Sequence, residues 1–171
     1  MIRKATLQDV DIVLQLINIH AESGEVLYRT REEVEAHIAD FRVIESDGAI
    51  VGTCGLSWDM GGMVEIRSLA VHPDHYRQGV GTELVKQCIH EATLAEYPRI
   101  FVLTYAMPLF EKLGFQVIHK SELPQKIWKD CQGCRKQEHC DEIAMIRDLV
   151  PVSMEESGTA DSTEESTVVP A

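Results

Sequence analysis

A three-layer α/β/α sandwich around a mixed, largely antiparallel sheet is the fold class this sequence predicts. Three observations carry it. Apolar periodicity runs in the order strand, two helices, a meander of strands, helix, strand, helix, strand. Asp47-Gly48 joins two strand-like segments, a strong hairpin signal. Gly79 and Gly81, one residue apart, stand where a strand gives way to a helix, at the carboxyl end where open sheets bind ligands.

Each element has its own reason. "MIRKAT" alternates as a first strand. In "LQDVDIVLQLINIHAES" the residues Val10, Ile12, Val13, Leu16 and Ile17 share a helical face. "TREEVEAHIADF" is a second short helix, with Thr30 as N-cap and Glu32 and Glu33 in its first turn. "RVIESDGAIVGTCGLSWD" reads as the hairpin and "MVEIRSLAV" as a further strand. The long helix after the glycines carries Leu84, Val85, Cys88, Ile89 and Ala92 at helical spacing. "RIFVLTY" is a buried strand, "AMPLFEKL" a short helix with Gly114 as C-cap, and "FQVI" a strand. "DEIAMIRDL" reads as a last strand.

Length and composition bound the function. The 171 residues suit one domain, over 1–150, with a cysteine-rich segment at 128–141. Residues 151–171 form an acidic tail too poor in apolar side chains to order. The formal net charge of −12 argues against nucleic acid or an anionic membrane as partner. No apolar run is long enough to span a bilayer, and Gln8, Asp9 and Asp11 interrupt any signal-peptide core, so a cytoplasmic location is expected.

The glycine pair opens a helix whose first amides lack partners, a ready site for phosphate. A tight turn with nothing bound is the plain alternative. Neither the dinucleotide fingerprint nor the Gly-Lys-Ser/Thr phosphate loop fits. What "EIRSLAVHPDHYRQGVGTELV" with "FVLTYAMPLFEKLGF" resembles is the GNAT family of N-acetyltransferases, over roughly residues 1–150. The resemblance implies the acyl-CoA N-acyltransferase fold with acetyl-CoA as co-substrate. By it, Leu69, Ala70 and Val71 would pair with the pantetheine arm. Arg77, Gln78, Gly79, Val80, Gly81 and Thr82 would cradle the pyrophosphate. Tyr76 departs from the family loop, which has Gln or Arg at that position.

Within the family, "EVLYRTREEVEAHIADFRVIESDGAIVGTCGL", "GGMVEIRSLAVHP" and "SELPQKIWKDC" resemble the acetyltransferase domain of N-acetylglutamate synthases. Those enzymes acetylate the α-amine of L-glutamate, opening arginine biosynthesis. The resemblance implies a short, free-standing amino-acid N-acetyltransferase without their kinase-like domain, with a homodimer as a family expectation. Two alternatives stand beside it. One is acetylation of another amine, such as a protein lysine, an N-terminus or a polyamine. The other is a non-catalytic acyl-CoA sensor.

Acetyl transfer requires a neutral amine, hence a base acting directly or through water. Glu65 matches the family's glutamate base, while an ion pair with Arg67 is its plain reading. Period-two alternation sets Glu65, Arg67, Leu69 and Val71 on one face. The leaving thiolate needs a hydrogen-bond donor. Phe110 occupies the position where many family members have Tyr, and Thr104 matches the hydroxyl the synthases use instead. Tyr105 is the fallback, and an ordinary strand residue is the alternative for Thr104.

Two substrate carboxylates call for fixed cations. Arg29 matches a substrate arginine of the synthases. Arg31 and Arg67 are neighbouring candidates, Arg31 also reading as plain surface charge. Lys126, Lys129, Arg135 and Lys136 follow, of which Lys136 is retained as a candidate. "CQGCRKQEHC" brings Cys131, Cys134 and Cys140 close to His139. Zinc, an iron–sulfur centre, a thiol switch and simple reduced thiols all remain open for it.

Overall fold

The computed structural model describes residues 1–124 and 142–150. The cysteine-rich segment with Cys131, Cys134, His139 and Cys140, the basic candidates Lys126, Lys129, Arg135 and Lys136, and the acidic tail lie outside the described residues. The elements are β1 Ile2–Lys4, α1 Val10–Glu22, α2 Arg31–Ala36, β2 Phe41–Ser46, β3 Ala49–Met60 and β4 Met63–Val71. Then come α3 Val80–Leu94, β5 Arg99–Thr104, α4 Met107–Lys112, β6 Gln116–Ile118 and β7 Ile143–Asp148.

The strands form one sheet in the order β1-β2-β3-β4-β5-β7-β6. Only β4 and β5 pair in parallel; the other neighbours are antiparallel. The predicted sandwich is therefore the observed one. At the first hairpin Asp47 and Gly48 both take positive φ (50° and 80°), the conformation its turn requires. Thr30 caps α2 as expected: its hydroxyl accepts from the Glu33 amide, and Glu33 Oε2 accepts from the Thr30 amide at 2.8 Å. The periodic segment beyond α2 closes as a separate 3-10 turn at Ile38–Asp40.

Three apolar clusters join the layers. Val13, Ile17 and Val34 from α1 and α2 pack on Phe41 and Val43 of β2. On the opposite face, Leu84, Val85, Cys88 and Ala92 of α3 meet Leu56, Val64, Ile66, Ile100 and Val102, with Phe110 of α4. A third cluster gathers Phe101, Ala144 and Leu123. Cys54 and Cys88 are buried free thiols within the α3 layer.

Strict alternation along β4 fails at one point. The register steps from Thr53↔Ala70 to Gly55↔Arg67, so Cys54 stands opposite both Ser68 and Leu69, and Ser68 takes φ 54°. This is a β-bulge. Before it, Glu65 and Arg67 face the α1/α2 side, where Arg67 is opposite Gly55 and Gly55 abuts Phe41. After it, Leu69 packs on the α3 cluster, and Val71 is opposite Gly52, over which Val80 and Leu84 of α3 sit. The expected common face of Glu65, Arg67, Leu69 and Val71 is thus divided: the bulge turns the last two over.

The N-terminal edge is held by charge. Arg3 donates to both carboxylate oxygens of Asp9, at 2.7 and 3.0 Å, and the Thr6 amide donates at 2.7 Å. The arginine hydrogen bond, aided by that amide, brings the Asp9 carboxyl from 3.8 down to about 2. A lowered folded value means the stabilisation is complete above the unfolded value and is lost as pH falls through the folded one. Asp9→Asn is therefore expected to be less stable than the native chain at pH 7. The difference should shrink between about pH 4 and pH 2. Urea midpoints across that range check it, and a constant difference would be the contrary result.

Candidate active site

β4 and β5 pair only where Val64–Ile66 meets Ile100–Val102. Beyond that register a gap of ≈ 370 Å³ lies between Arg67, Ser68 and Leu69 on one side and Val102, Thr104 and Tyr105 on the other. Phe110 contributes to its wall. A second cavity of ≈ 370 Å³ shares Leu69, Glu25 and Ala106 with the first and continues to Val71, Arg77, Gly79, Val80, Gly81 and Thr82. A third, of ≈ 430 Å³, shares Arg67 with the gap and is lined by Arg29, Glu33, His37, Asp40, Ser57 and Trp58. The shared residues set the three cavities next to one another in one run: helix start, inter-strand gap, arginine-lined pocket.

The helix start has the chemistry of an anion site. Gly79 at the N-cap takes φ 81°, which disfavours any side chain, and a Cβ there would meet nothing within 4 Å. The first helical bond is from the Glu83 amide to the Gly79 carbonyl. The amides of Val80, Gly81 and Thr82 precede it and carry the positive end of a helix of 15 residues. These features suit a diphosphate, and the inter-strand gap suits an extended arm leading from it.

A family model described as "Acetyltransferase (GNAT) family" matches residues 13–115. The chain belongs to the GNAT family. An uncharacterized N-acetyltransferase of Chlorobaculum tepidum is 37% identical to it over 150 residues, which is 86% of this chain and 96% of the relative. An amino-acid acetyltransferase of Aeromonas salmonicida is 34% identical over 71% of this chain but 28% of its own length. Among solved structures, N-acetylglutamate synthase from Neisseria gonorrhoeae, complexed with coenzyme A and N-acetyl-glutamate, superposes with TM-score 0.78 at 30% identity. That match covers 88% of this chain and 35% of the synthase. The chain thus spans about a third or less of these two longer relatives. As a member of the GNAT family it is an N-acetyltransferase.

The GNAT fold brings most of the sequence candidates to this run of space. Leu69, Val71, Arg77, Gly79, Val80, Gly81 and Thr82 line it at the helix start. Ala70 does not, being buried opposite Thr53. Gln78 braces the loop instead, donating to the Asp74 carbonyl at 3.2 Å and standing 3.3 Å from His75. Thr104 and Tyr105 line the gap. The Thr104 oxygen accepts from the Ala106 amide at 2.8 Å, which leaves its hydroxyl proton available to donate.

Glu65 lines none of the three cavities. It is buried behind Arg67, with Oε2 accepting from Arg67 Nη2 at 2.7 Å, and Arg67 itself borders both the gap and the arginine-lined pocket. Arg31, by contrast, points away. Its guanidinium pairs with Asp11 and, at 3.3 Å, with Glu35, on an exposed face where Arg29 alone of the two reaches the pocket. Sequence reasoning missed His20 and Glu25 at the helix-start cavity and His37, Asp40 and Trp58 in the pocket. Gly24, a helix-ending glycine, was the available signal for the first two; the others carry none.

Among the described residues no group of three or more His, Cys, Asp or Glu could hold a metal ion. No described helix is long and apolar enough to cross a membrane.

Proposed function

We propose that the chain is an amino-acid N-acetyltransferase that converts L-glutamate to N-acetyl-L-glutamate, with the activity carried by residues 1–150. The observation that carries this reading is the presence of two arginines, Arg29 and Arg67, on the walls of one pocket that borders the inter-strand gap at Arg67. An acceptor with two carboxylates matches two such cations, of which Arg67 also holds Glu65 through Nη2. Glu33 and Asp40 on the same wall would favour a cationic acceptor, such as a polyamine, if their charges were uncommitted. Glu33 accepts from the Thr30 amide and Asp40 from Trp58 Nε1 at 3.0 Å, neutral donors that leave both carboxylates charged, so a cationic acceptor is the competing outcome of the assay below. The likeness to a synthase crystallised with N-acetyl-glutamate supports the same acceptor.

Acetyl-CoA supplies an activated acetyl thioester; everything else is done by the chain. The amides of residues 80–82 and Arg77 hold the diphosphate. The open edge of β4 beyond the bulge receives the arm. Arg29 and Arg67 orient the acceptor so that its amine enters the gap. Glu65 takes the ammonium proton through water or as Arg67 shifts toward the substrate carboxylate. The Thr104 hydroxyl, with Tyr105 as the second donor, hydrogen-bonds the departing sulfur.

A thiol-release assay with acetyl-CoA against free amino acids, polyamines and lysine peptides tests the reading. Turnover is expected with glutamate above all others. Turnover confined to another amine would overturn the acceptor, and acetyl-CoA uptake without turnover on any amine would favour a sensor. Arg29→Ala is expected to raise KM for glutamate by about 10–100-fold, the loss of one charge-assisted pair, with a smaller change in kcat. An unchanged KM would remove Arg29 from the acceptor site.

A further inference from the structure

The cavity at the helix start contains a carboxylate, Glu25, beside the groups that suit a diphosphate. Its position is built in by the chain. α1 ends with Gly24 at φ 79°, the Gly24 amide donating to the Ala21 carbonyl at 3.1 Å and the Glu25 amide to the His20 carbonyl at 3.0 Å. This Schellman ending folds Glu25 back against the helix. Glu25 Oε2 then lies 2.8 Å from Nδ1 of His20, a side chain only 8% exposed.

The other ring nitrogen, Nε2, is 2.8 Å from the carbonyl oxygen of Val71, the last residue of β4, and 3.4 Å from the hydroxyl of Tyr76. The Tyr76 ring leans on the imidazole at a centroid distance of 6.0 Å. A carbonyl and a carboxylate only accept. Each ring nitrogen therefore faces an acceptor at 2.8 Å, to which it bonds when it carries the proton. His20 thereby faces Glu25, the end of β4 and the loop that leads to Gly79.

We propose that His20 is a positioning residue for acetyl-CoA: it fastens α1 to the end of β4 and holds the Glu25 carboxylate, whose charge, if released, would oppose the diphosphate in the shared cavity. Tyr76, which stands where the family loop has Gln or Arg, is the third member of this clasp. The proposal rests on the reading of this cleft as the acetyl-CoA site. It adds a role for three side chains that the transfer chemistry does not use.

The test compares acetyl-CoA with acetyl-pantetheine, which has the same thioester without the diphosphate. In His20→Gln, KM for acetyl-CoA is expected to rise by about tenfold more than KM for acetyl-pantetheine, the scale of one charged contact. Glu25→Gln added to His20→Gln should restore the acetyl-CoA value, since the released carboxylate is then gone. Glu25→Gln alone, which keeps His20, should bind acetyl-CoA at least as tightly as the native chain by calorimetry. Equal losses on both donors, no rescue by Glu25→Gln, or weaker uptake in Glu25→Gln would each overturn the proposal and leave His20 a plain structural brace. Failure of the native chain to take up acetyl-CoA would overturn the reading of the cleft, and this proposal with it.

Discussion

Replacing Glu65 by Gln is expected to leave acetyl-CoA uptake intact while lowering kcat at neutral pH by about 10²–10⁴-fold, the range for losing a general base. The isostere keeps the volume of a side chain buried behind Arg67 in β4 and removes only its charge. Because Glu65 lines none of the three described cavities, the proposed route for the proton is through a water or as Arg67 moves toward the acceptor. That geometry allows a second role, in which Glu65 merely orients Arg67. The two roles separate in steady-state kinetics: loss of the base lowers kcat, whereas a loosened Arg67 raises KM for the acceptor. Stopped thiol release at saturating substrates, with calorimetry of acetyl-CoA, reads both. Unchanged kcat would remove Glu65 from proton transfer.

The largest stability effect is expected at a different pair. Arg42, 3% exposed in its side chain, donates from Nε to Glu91 Oε1 at 2.6 Å and pairs with Oε2 through Nη2. Its Nη1 also donates to the carbonyls of Ala39 and Phe41, at 2.9 and 3.0 Å. The pair fastens α3 to β2 and therefore holds the helix that Gly79 opens against the sheet. Burial pushes the Glu91 carboxyl up, but the Arg42 hydrogen bond and charge bring it below its ordinary value overall. Its stabilisation is thus present at neutral pH and lost as pH falls through the lowered value. Glu91→Leu leaves a buried guanidinium without its carboxylate and should cost about 3–5 kcal/mol. Adding Arg42→Met should recover part of this, less the contacts to the two carbonyls. Urea unfolding of both variants decides it, and a loss below about 1 kcal/mol in Glu91→Leu would mean the pair behaves as a surface contact.

Much of the fold was legible in local pattern. "MVEIRSLAV" reads as a strand and is one from Met63 to Val71, since apolar residues at Val64, Ile66, Leu69 and Val71 stand between a glycine turn and His72-Pro73. Thr30 read as an N-cap with Glu33 in the first turn, and the structure joins the two reciprocally as a capping box. The Gly79 start was equally plain, because a left-handed N-cap selects glycine from the backbone alone.

The division of β4 at Ser68 was not legible. Nothing in "RSL" marks a bulge, which arises from fitting two residues of β4 opposite one of β3. For Arg31 the sequence left substrate contact and plain surface charge both open; α2 carries it to Asp11 and Glu35, while Arg29 borders the pocket. His20 reads as one more residue of an amphipathic helix. Its partner carbonyl is 51 positions away.

By itself the sequence determined the order of elements, their caps and the amide-rich helix start, since these depend on torsional preferences and periodicities within a few residues. Only the tertiary structure decided which side chains share a wall: Arg29 with Arg67, Leu69 with Thr104, His20 with Val71. The direction of a side chain follows the two-residue period of a strand only while the register holds, and register is set by the neighbouring strand. The site lies where two parallel strands part, and no local pattern records that parting.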